Sequence, residues 1–376
     1  MKKIAVIGGG IIGMTLANYL DSTKFTVTLY DDPLGQATKA SAGIISPWLS
    51  KRRNRKWYRL AKEGAAFFPK LVADFHLDKT IYQQTGTLIV RPESALQELL
   101  NLAAERKKTA PEIGDIRLLK SDQTAKYLPL LKPQPTLYVT GGGRLDGQAY
   151  LAQLQLLAQQ KGVRIRNEKA TLKQKSAAWQ VSTSTSEDLF DFIALTPGPK
   201  LKGLLANLGY SVDLRPQKGQ LLVFKTDYIA SETWPVAMLD GEADLIPFHK
   251  GKILIGATHE NEAAWDLTPT RTAFEHLTKA ATPFLNDAVA LFAHPQYYQV
   301  GTRAYTADST PFFGPLPELP QLVVASGLGS SGLTTGPYIG YQLARYFNTN
   351  SFDGTRYQKD LNQVISKDTS LINDIK

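Results

Sequence analysis

Short apolar runs alternate with amphipathic stretches at the start of the chain. Lys3–Ile7 is an apolar, partly β-branched run, and glycines follow it. Ile11–Leu20 repeats apolar side chains at helical spacing, and Phe25–Tyr30 is a second strand-like run that ends at Asp31-Asp32-Pro33. A strand, a helix and a strand within about 30 residues predict a βαβ unit.

The middle of the chain has a different pattern, and the end returns to the first one. Several middle segments read as strands of an antiparallel sheet separated by turns. The last part again places a glycine-rich loop between a strand and a helix. The predicted strands are 85–91, 136–140, 163–166, 181–185, 190–196, 220–225, 243–247, 252–257 and 322–325, and the predicted helices are 57–68, 94–107, 150–160 and 336–346.

This order of elements predicts an α/β fold, α+β overall. A Rossmann-like nucleotide-binding domain is assembled from distant segments, and a second domain built on an antiparallel β-sheet is inserted into it. The chain has 376 residues, which is enough for two cores. We assign residues 1–80, 141–215 and 296–376 to the first domain, and residues 81–140 and 216–295 to the second.

Composition excludes several classes of protein. Hydrophobic residues make up 43% and charged residues 20%, as in ordinary globular proteins. No apolar run reaches the roughly 18 residues that a membrane span needs. Cysteine is absent, which excludes disulfides, thiolate metal sites and a thiol nucleophile, and a cytoplasmic location fits. The five histidines show no ligand spacing, so we expect no metal site.

The net charge of +9 raises the question of an anionic partner. The densest basic run is Lys51–Lys56, with Trp57 and Tyr58 behind it. No nucleic-acid-binding module accompanies the run, so a solvated surface is the favoured interpretation and no nucleic acid is expected. A peripheral membrane contact and the oligomeric state remain open.

A glycine motif lies between the first predicted strand and the first predicted helix. Gly8 permits a tight turn, Gly10 lets the backbone approach a pyrophosphate, and Gly13 lets helix and strand pack closely. The helix N-terminus then faces the phosphates. Asp31 follows Gly13 by 18 residues, at the end of the second strand, where a carboxylate accepts hydrogen bonds from an adenosine ribose. The motif predicts a bound dinucleotide.

The glycine-rich segment near the end of the chain indicates which dinucleotide. Residues 324–337 combine a strand, a turn of glycines and serines, and a helix start. Such a turn presents backbone N–H groups and a positive helix end to one ligand edge. The flavin pyrimidine edge becomes negative on reduction, so the segment favours FAD over a nicotinamide cofactor. The alternative is an ordinary helix start capped by Thr334 or Thr335.

The chain resembles the family of FAD enzymes that includes D-amino-acid oxidase, glycine oxidase and sarcosine oxidase, and the resemblance runs nearly end to end. Each motif alone is modest, but their order is specific. The motifs that carry the resemblance are Gly8–Gly13, Ala40–Pro47, Gly142–Gly147, Ile193–Gly198, Arg215–Gln220, Leu254–Thr258, Gly301–Arg303 and Gly327–Pro337.

The resemblance makes the first domain the FAD-binding domain and the second the substrate-binding domain. Residues 39–46 would then pass the pyrophosphate and the flavin ring, Ala170 or Thr171 would contact adenine through backbone groups, and residues 196–198 would close over the adenosine. The FAD contacts predicted in this way are Gly8, Gly10, Ile11, Ile12, Gly13, Asp31, Asp32, Lys39, Ala40, Ser41, Gly43, Ile44, Ile45, Ser46, Ala170, Thr171, Thr196, Pro197, Gly198, Arg303, Gly327, Leu328, Gly329, Ser330, Ser331, Gly332, Leu333 and Thr334.

Two further expectations concern the flavin bond and the substrate. Some relatives bind their flavin covalently through a cysteine, and others through a histidine in the loop after the second strand. This chain has no cysteine and no histidine between Gln36 and Ser50, so FAD should be held noncovalently. Arg303 would pair with a substrate carboxylate above the flavin, although a salt bridge between domains is the alternative. Prolines that many relatives have near this arginine are absent, because Ala304 follows Arg303 and Ala307 precedes Asp308.

Two further residues are candidates to complete the substrate site. Many relatives have a tyrosine and an arginine around one strand of the substrate domain, where this chain reads Asp244–His249. Tyr305 and His249 are candidates for the missing contact, or else packing residues. The predicted reaction is hydride transfer from the amine-bearing carbon of a small amino acid or amine to flavin N5, giving an imine, with no general base. A larger amine such as a modified nucleoside, or a non-catalytic FAD protein, are the alternatives.

Overall fold

A computed structural model describes residues 1–50, 54–176, 178–358 and 360–367 of the chain. Lys51, Arg52 and Arg53, half of the predicted basic run, lie outside these ranges. The α-helices in the described ranges are α1 (Ile11–Tyr19), α2 (Arg55–Ala66), α3 (Phe68–Phe75), α4 (Glu93–Lys107), α5 (Ser121–Tyr127), α6 (Gly147–Gln160), α7 (Leu201–Ala206), α8 (Arg271–Ala281), α9 (Ala288–Ala293) and α10 (Gly332–Thr349).

Within the described residues, the strands form two large sheets and three small ones. They are β1 (Lys2–Ile7), β2 (Phe25–Tyr30), β3 (Ile44–Ile45), β4 (Tyr82–Gln83), β5 (Thr87–Ile89), β6 (Ile116–Leu119), β7 (Thr136–Val139), β8 (Gly143–Leu145), β9 (Arg164–Arg166), β10 (Thr171–Gln174), β11 (Trp179–Ser182), β12 (Glu187–Phe190), β13 (Phe192–Leu195), β14 (Tyr210–Val212), β15 (Arg215–Lys225), β16 (Val236–Met238), β17 (Asp244–Pro247), β18 (Lys252–Gly256), β19 (Gln296–Tyr305), β20 (Phe312–Leu316), β21 (Leu319–Ser326) and β22 (Ile365–Lys367).

The first large sheet has six strands in the order β20-β21-β13-β1-β2-β9. All neighbours are parallel except β20 and β21. Parallel strands are covered on both faces, which explains why β1 is a continuous apolar run with Ile4 and Val6 fully buried. Helices α1, α6 and α10 pack together beside this sheet. The βαβ unit predicted from the sequence is therefore present as β1-α1-β2.

The second large sheet has eight strands in the order β19-β15-β18-β17-β16-β5-β7-β6. Only β16 and β5 run parallel within it. One face buries Leu222 and Leu245 together with Leu277 of α8. The other face buries Leu221 and Ile246, and Ile44 of β3 packs against it. The site lies on this second face.

The fold class predicted from the sequence is confirmed, and some boundaries differ. Strand β19, which the hydrophobic pattern did not reveal, pairs with β15 over ten positions, although residues 296–305 fall in the first predicted domain. The division at the predicted domain boundaries stays a prediction. In the described part of the chain, no helix is both long and apolar enough to cross a bilayer.

The start of α10 was predicted incorrectly. The helix begins at Gly332 rather than Gly336, so Pro337 lies inside it and not in its first turn. Thr334 and Thr335 do not cap the helix. The Thr335 hydroxyl instead donates to the Ser331 carbonyl (3.0 Å), one turn earlier. Proline at this position removes the hydrogen bond that a backbone N–H would donate to the Leu333 carbonyl, one turn earlier.

Candidate active site

The glycine turn joins β1 to α1 at the carboxyl edge of the parallel sheet. Gly8 has a positive φ of 105°, and a Cβ on Gly13 would lie 1.9 Å from the Gly8 carbonyl oxygen, so helix and strand touch through their backbones. The N-cap residue of α1, Gly10, has no side chain that could cap the helix. Around Gly10, only the Thr38 hydroxyl lies near the position of a Cβ, at 3.6 Å. The turn is open to a ligand at the helix N-terminus.

Asp31 belongs to this turn, whereas Asp32 does not. The Asp31 carboxylate accepts from the Gly9 backbone N–H (2.8 Å) and from the Gln36 side-chain amide (2.6 Å). Burial raises the pKa of Asp31 above its usual range, and the Gly9 N–H and Lys39 oppose that rise. Asp32 instead pairs with Lys200 (2.7 Å), whose hydrogen bond lowers the pKa of Asp32.

The segment after β2 connects the turn to both large sheets. The Thr38 hydroxyl accepts from the Ile11 backbone N–H (3.1 Å), and the Ser41 hydroxyl donates to the Thr38 carbonyl (2.7 Å). Farther along, a Cβ on Gly301 of β19 would lie 2.9 Å from the Cβ of Ala40. The predicted contacts 39–41 therefore run between α1 and β19.

Strand β3 continues this path. It pairs with β8, so that Ile44 lies opposite Arg144 and Ile45 opposite Gly143. A Cβ on Gly43 would lie 3.1 Å from the Phe248 ring, and Ser46 follows directly after the strand. The predicted contacts 43–46 thus lie between α10 and the second face of the eight-stranded sheet.

The predicted adenosine contacts surround the first turn from another side. The Thr196 hydroxyl donates to the Gly8 carbonyl (2.9 Å), and Pro197 follows it into a short 3-10 helix, Gly198–Lys200. Gly198 has a positive φ of 58°, with no described atom within 4 Å of its Cβ position. Ala170 is buried and Thr171 exposed at the start of β10.

The second glycine-rich turn leads from β21 into α10. Gly327 and Gly329 have positive φ angles of 77° and 52°. Ser331, which precedes the helix, makes no side-chain cap among the described residues; its hydroxyl donates to the Leu328 carbonyl (2.8 Å). Ser330 is exposed, and Gly332, Leu333 and Thr334 form the first turn of α10. This turn and the α1 turn lie side by side because α1 and α10 pack against each other.

Arg303 lies on the second face of the eight-stranded sheet. Its guanidinium donates to the Thr258 carbonyl (2.8 Å) and to the Gln217 side-chain carbonyl (3.2 Å). A Cβ on Gly219 would lie 2.6 Å from the guanidinium carbon, so the group rests on bare backbone. Burial lowers the pKa of Arg303, and the charge of Glu260 opposes this. No carboxylate of the described residues lies within ion-pair distance of Arg303.

The other two substrate candidates are placed differently. The Tyr305 hydroxyl bonds with the Ser330 hydroxyl (2.5 Å), and its ring lies where a Cβ on Gly329 would be. Tyr305 therefore joins Arg303 and the second glycine turn. His249 lies at the tip of the β17–β18 hairpin, where it contacts the Lys79 carbonyl, and Thr258 follows the far end of β18. The structure does not bring His249 to Arg303.

Three residues of the site escaped the sequence reasoning. Thr38 accepts a hydrogen bond from the first N–H of α1, and Gln217 accepts one from Arg303. Thr38 lies outside the motifs that carry the resemblance, and Gln217 lies inside one of them, Arg215–Gln220, but was given no role there. Arg144 is buried on β8 and donates to the Glu232 and Trp234 carbonyls (2.6 and 3.0 Å). Burial lowers the pKa of Arg144 to about 10. The sequence signal that could have identified it was an arginine inside the glycine-rich motif Gly142–Gly147.

These features fit FAD. A helix N-terminus with a glycine as its N-cap residue and open space beside it suits a pyrophosphate, and the nearby carboxylate suits a ribose. A second helix N-terminus, that of α10, offers N–H groups to an anionic or carbonyl-rich ring edge. The fold and the two turns define an FAD-type dinucleotide-binding protein with a second sheet over the site. The contacts of individual residues with FAD stay predictions.

Comparison with known proteins gives the family. The family model described as FAD dependent oxidoreductase matches residues 3–346. The chain is 34% identical over 357 residues to the uncharacterized oxidoreductase YurR of Bacillus subtilis, covering 92% of this chain and 94% of that one. It is 28% identical over 351 residues to a glycine oxidase of Pseudomonas putida, covering 89% and 92%.

A solved structure agrees with these sequence matches. Iminodiacetate oxidase (IdaA) from Chelativorans sp. BNC1 superposes with a TM-score of 0.88 at 26% identity, over 96% of this chain and 98% of that one. The chain belongs to the FAD-dependent oxidoreductase family that includes glycine oxidase, as its motifs predicted. It is an oxidoreductase with FAD as cofactor, which sets aside the non-catalytic alternative.

Proposed function

We propose that this enzyme oxidises the carbon–nitrogen bond of a small amino acid and that Arg303 binds the substrate carboxylate. Bound FAD would accept a hydride at N5 from the carbon that carries the amine, leaving an imine that water hydrolyses. The glycine oxidase and iminodiacetate oxidase among the relatives are named for substrates that combine an amine with a carboxylate. This supports the amino-acid class.

The observation that carries the proposal is the environment of Arg303. Arg303 is half-buried, desolvation lowers the pKa of its guanidinium, and its two hydrogen-bond acceptors are neutral oxygens. A buried cation without an anion is costly, and a carboxylate ligand would relieve that cost. The planar guanidinium also matches a carboxylate in a two-bond geometry.

Neighbouring residues fix the direction of the guanidinium. Gln217 accepts from Arg303 and donates from its amide nitrogen to the Asn261 side chain (2.8 Å), which fixes the orientation of its amide. The bare backbone of Gly219 supports the other side of the group. A guanidinium held in this way can orient a substrate before reaction, and orientation is the main contribution that the protein makes to such chemistry. We assign no general base, since a neutral amine is the reactive form.

Anaerobic reduction of the bound flavin by a substrate panel tests the proposal. Glycine, N-methylglycine and both enantiomers of alanine represent amino acids, ethylamine represents amines without a carboxylate, and glycolate and lactate represent hydroxy acids. We expect one or more amino acids to bleach the flavin far faster than ethylamine or either hydroxy acid. Bleaching by a hydroxy acid, or by a modified nucleoside carrying an amine, with none by amino acids would overturn it.

A further inference from the structure

Arg303 is anchored to the protein through one nitrogen of its guanidinium. Nη1 donates to the Thr258 carbonyl (2.8 Å) and to the Gln217 side-chain carbonyl (3.2 Å), and these two bonds use both of its hydrogens. Nε and Nη2 make no hydrogen bond with the described residues. A carboxylate binds arginine through two parallel N–H···O bonds, so the Nε–Nη2 edge is the one left for a substrate carboxylate.

The orientation of this free edge depends on the side-chain amide of Gln217. Its carbonyl oxygen accepts from Nη1 of Arg303, and its NH2 group donates to Oδ1 of Asn261 (2.8 Å). Reversal of the amide would place its NH2 group against Nη1, and both of these groups only donate. Arg303 would lose one of its two anchors, and the direction of its free edge would no longer be fixed.

Asn261 prevents that reversal. Its Oδ1 accepts from Gln217 and also from Nη1 of Arg215 (2.7 Å). Arginine has no acceptor, so an oxygen must face Arg215, and the Asn261 amide cannot reverse without losing both bonds. The backbone here is fixed as well, because Glu260, the residue before Asn261, exchanges two backbone hydrogen bonds with Lys218 of β15 (both 3.0 Å).

These four side chains form a chain of hydrogen bonds that begins and ends at an arginine. Arg215 and Asn261 are exposed, Gln217 is buried and Arg303 is half-buried, so the chain runs from the surface into the site. Because the guanidinium at each end can only donate, the two ends together dictate the direction of both amides between them. A surface residue thereby determines which groups surround Nη1 of Arg303.

We propose that Asn261 is a positioning residue that sets the selectivity of the site for carboxylates. It holds the Gln217 carbonyl on Nη1 of Arg303, and this keeps the Nε–Nη2 edge directed at the substrate. The inference rests on the proposed function, because it uses Arg303 as the carboxylate site. It adds a determinant of specificity that lies in the segment after β18 and does not touch the substrate.

Substitutions of Asn261 test the inference through the carboxylate selectivity, defined as kcat/KM for the best amino acid divided by kcat/KM for its decarboxylated amine. Leucine and aspartate have nearly the shape of asparagine. Leucine has no acceptor, so the selectivity should fall about 3- to 10-fold in Asn261→Leu, within the range for one neutral hydrogen bond. Aspartate accepts from both partners and pairs its charge with Arg215, so the selectivity of Asn261→Asp should stay within about twofold of the parent.

Glu262→Gln is the matched control, since Glu262 follows Asn261, is exposed and lies outside the chain of hydrogen bonds. It should keep the parent selectivity. A merely structural role of Asn261 would lower kcat/KM for the amino acid and the amine equally. Unchanged selectivity in Asn261→Leu therefore overturns the inference, as does a loss in Asn261→Asp as large as that in Asn261→Leu.

Arg303→Lys, assayed in the same way, separates this inference from the proposed function. If the selectivity falls in Arg303→Lys but not in Asn261→Leu, the inference alone is overturned. If it does not fall in Arg303→Lys, the proposed function is overturned and the inference with it.

Discussion

The Asp31 carboxylate connects the first glycine turn to the loop after β2. It accepts from the Gly9 N–H and from Gln36, and a free lone pair on each oxygen remains for ribose hydroxyls. Asp32, its neighbour, is bound to Lys200 instead. The two adjacent carboxylates should therefore differ in their effect on FAD.

Asp31→Asn should weaken FAD binding by about 1.5 to 3 kcal/mol, the range for hydrogen bonds to a charged group. Titration of the apoprotein with FAD measures the change. Asp32→Asn serves as the control. It should weaken FAD binding by less than about 1 kcal/mol, because it removes only a half-exposed ion pair with Lys200. Equal losses of FAD affinity in both variants would show that Asp31 does not bind the ribose.

At the residue scale, motifs predicted positions better than contacts. Tyr305, a candidate from the sequence, contacts the second glycine turn through Ser330 and lies two positions from Arg303 on β19. His249 does not join them, because the β17–β18 hairpin places it one strand length away. Thr38 and Gln217 are buried and act through hydrogen bonds between segments distant in sequence, so their partners, Ile11 and Arg303, are known only from the folded chain.

Helices α1 and α10 bring the two glycine turns together. Gly340 of α10 packs on α1, where a Cβ would lie 2.7 Å from the Ile12 carbonyl oxygen and 2.9 Å from the Thr15 Cβ. Because the backbones of the two helices touch here, a displacement of α10 would also displace α1 and the glycine turn that precedes it. The close approach of the helices therefore positions both turns.

Gly340→Ala should destabilise the protein by about 1 to 3 kcal/mol through overpacking. Gly203→Ala is the control, because Gly203 lies in α7 with no described atom within 4 Å of its Cβ position. The free energy of unfolding of that variant should be unchanged or higher by up to about 1 kcal/mol, because alanine has a greater helix propensity than glycine. Denaturant unfolding of the FAD-bound proteins measures both, and a Gly340→Ala variant as stable as the parent would exclude the tight contact.

At the element scale, apolar runs predicted the parallel strands well because both faces of that sheet are buried. Strand β19 was missed for the opposite reason. Tyr297 is 39% exposed and Gln296 is exposed as well, so the run lacks a clean alternation of apolar and polar residues. Its ten pairs with β15 are long-range, and only the folded sheet reveals them.

At the scale of the whole molecule, polar contacts join the eight-stranded sheet to the segment that contains β8 and the start of α6. Lys252 of the eight-stranded sheet pairs with Asp146 at the start of α6 (2.6 Å). Buried Arg144 binds carbonyls that precede β16, and its guanidinium lies 5.4 Å from the centre of the Phe248 ring. The motifs predicted two domains, but these bridges depend on the packing of distant segments.

The flavin should leave the protein when the fold is lost. The chain has no cysteine, and residues 37–49 contain no histidine, so the usual covalent attachments in this region are missing. Acid precipitation should release yellow FAD into the supernatant. Flavin that stays with the pellet after washing would show a covalent bond to another side chain.

Arg303→Lys most directly tests the central claim, that Arg303 reads the carboxylate of an amino acid. The parent and the variant are each assayed with the best amino acid and with its decarboxylated amine, after FAD content is confirmed to be equal. Lysine cannot reproduce the two-bond geometry, so kcat/KM for the amino acid should fall roughly 30-fold to several thousand-fold. This fall corresponds to a loss of about 2 to 5 kcal/mol of transition-state stabilisation. The amine, a poor substrate of the parent, should lose far less. Equal losses for both substrates would contradict the account.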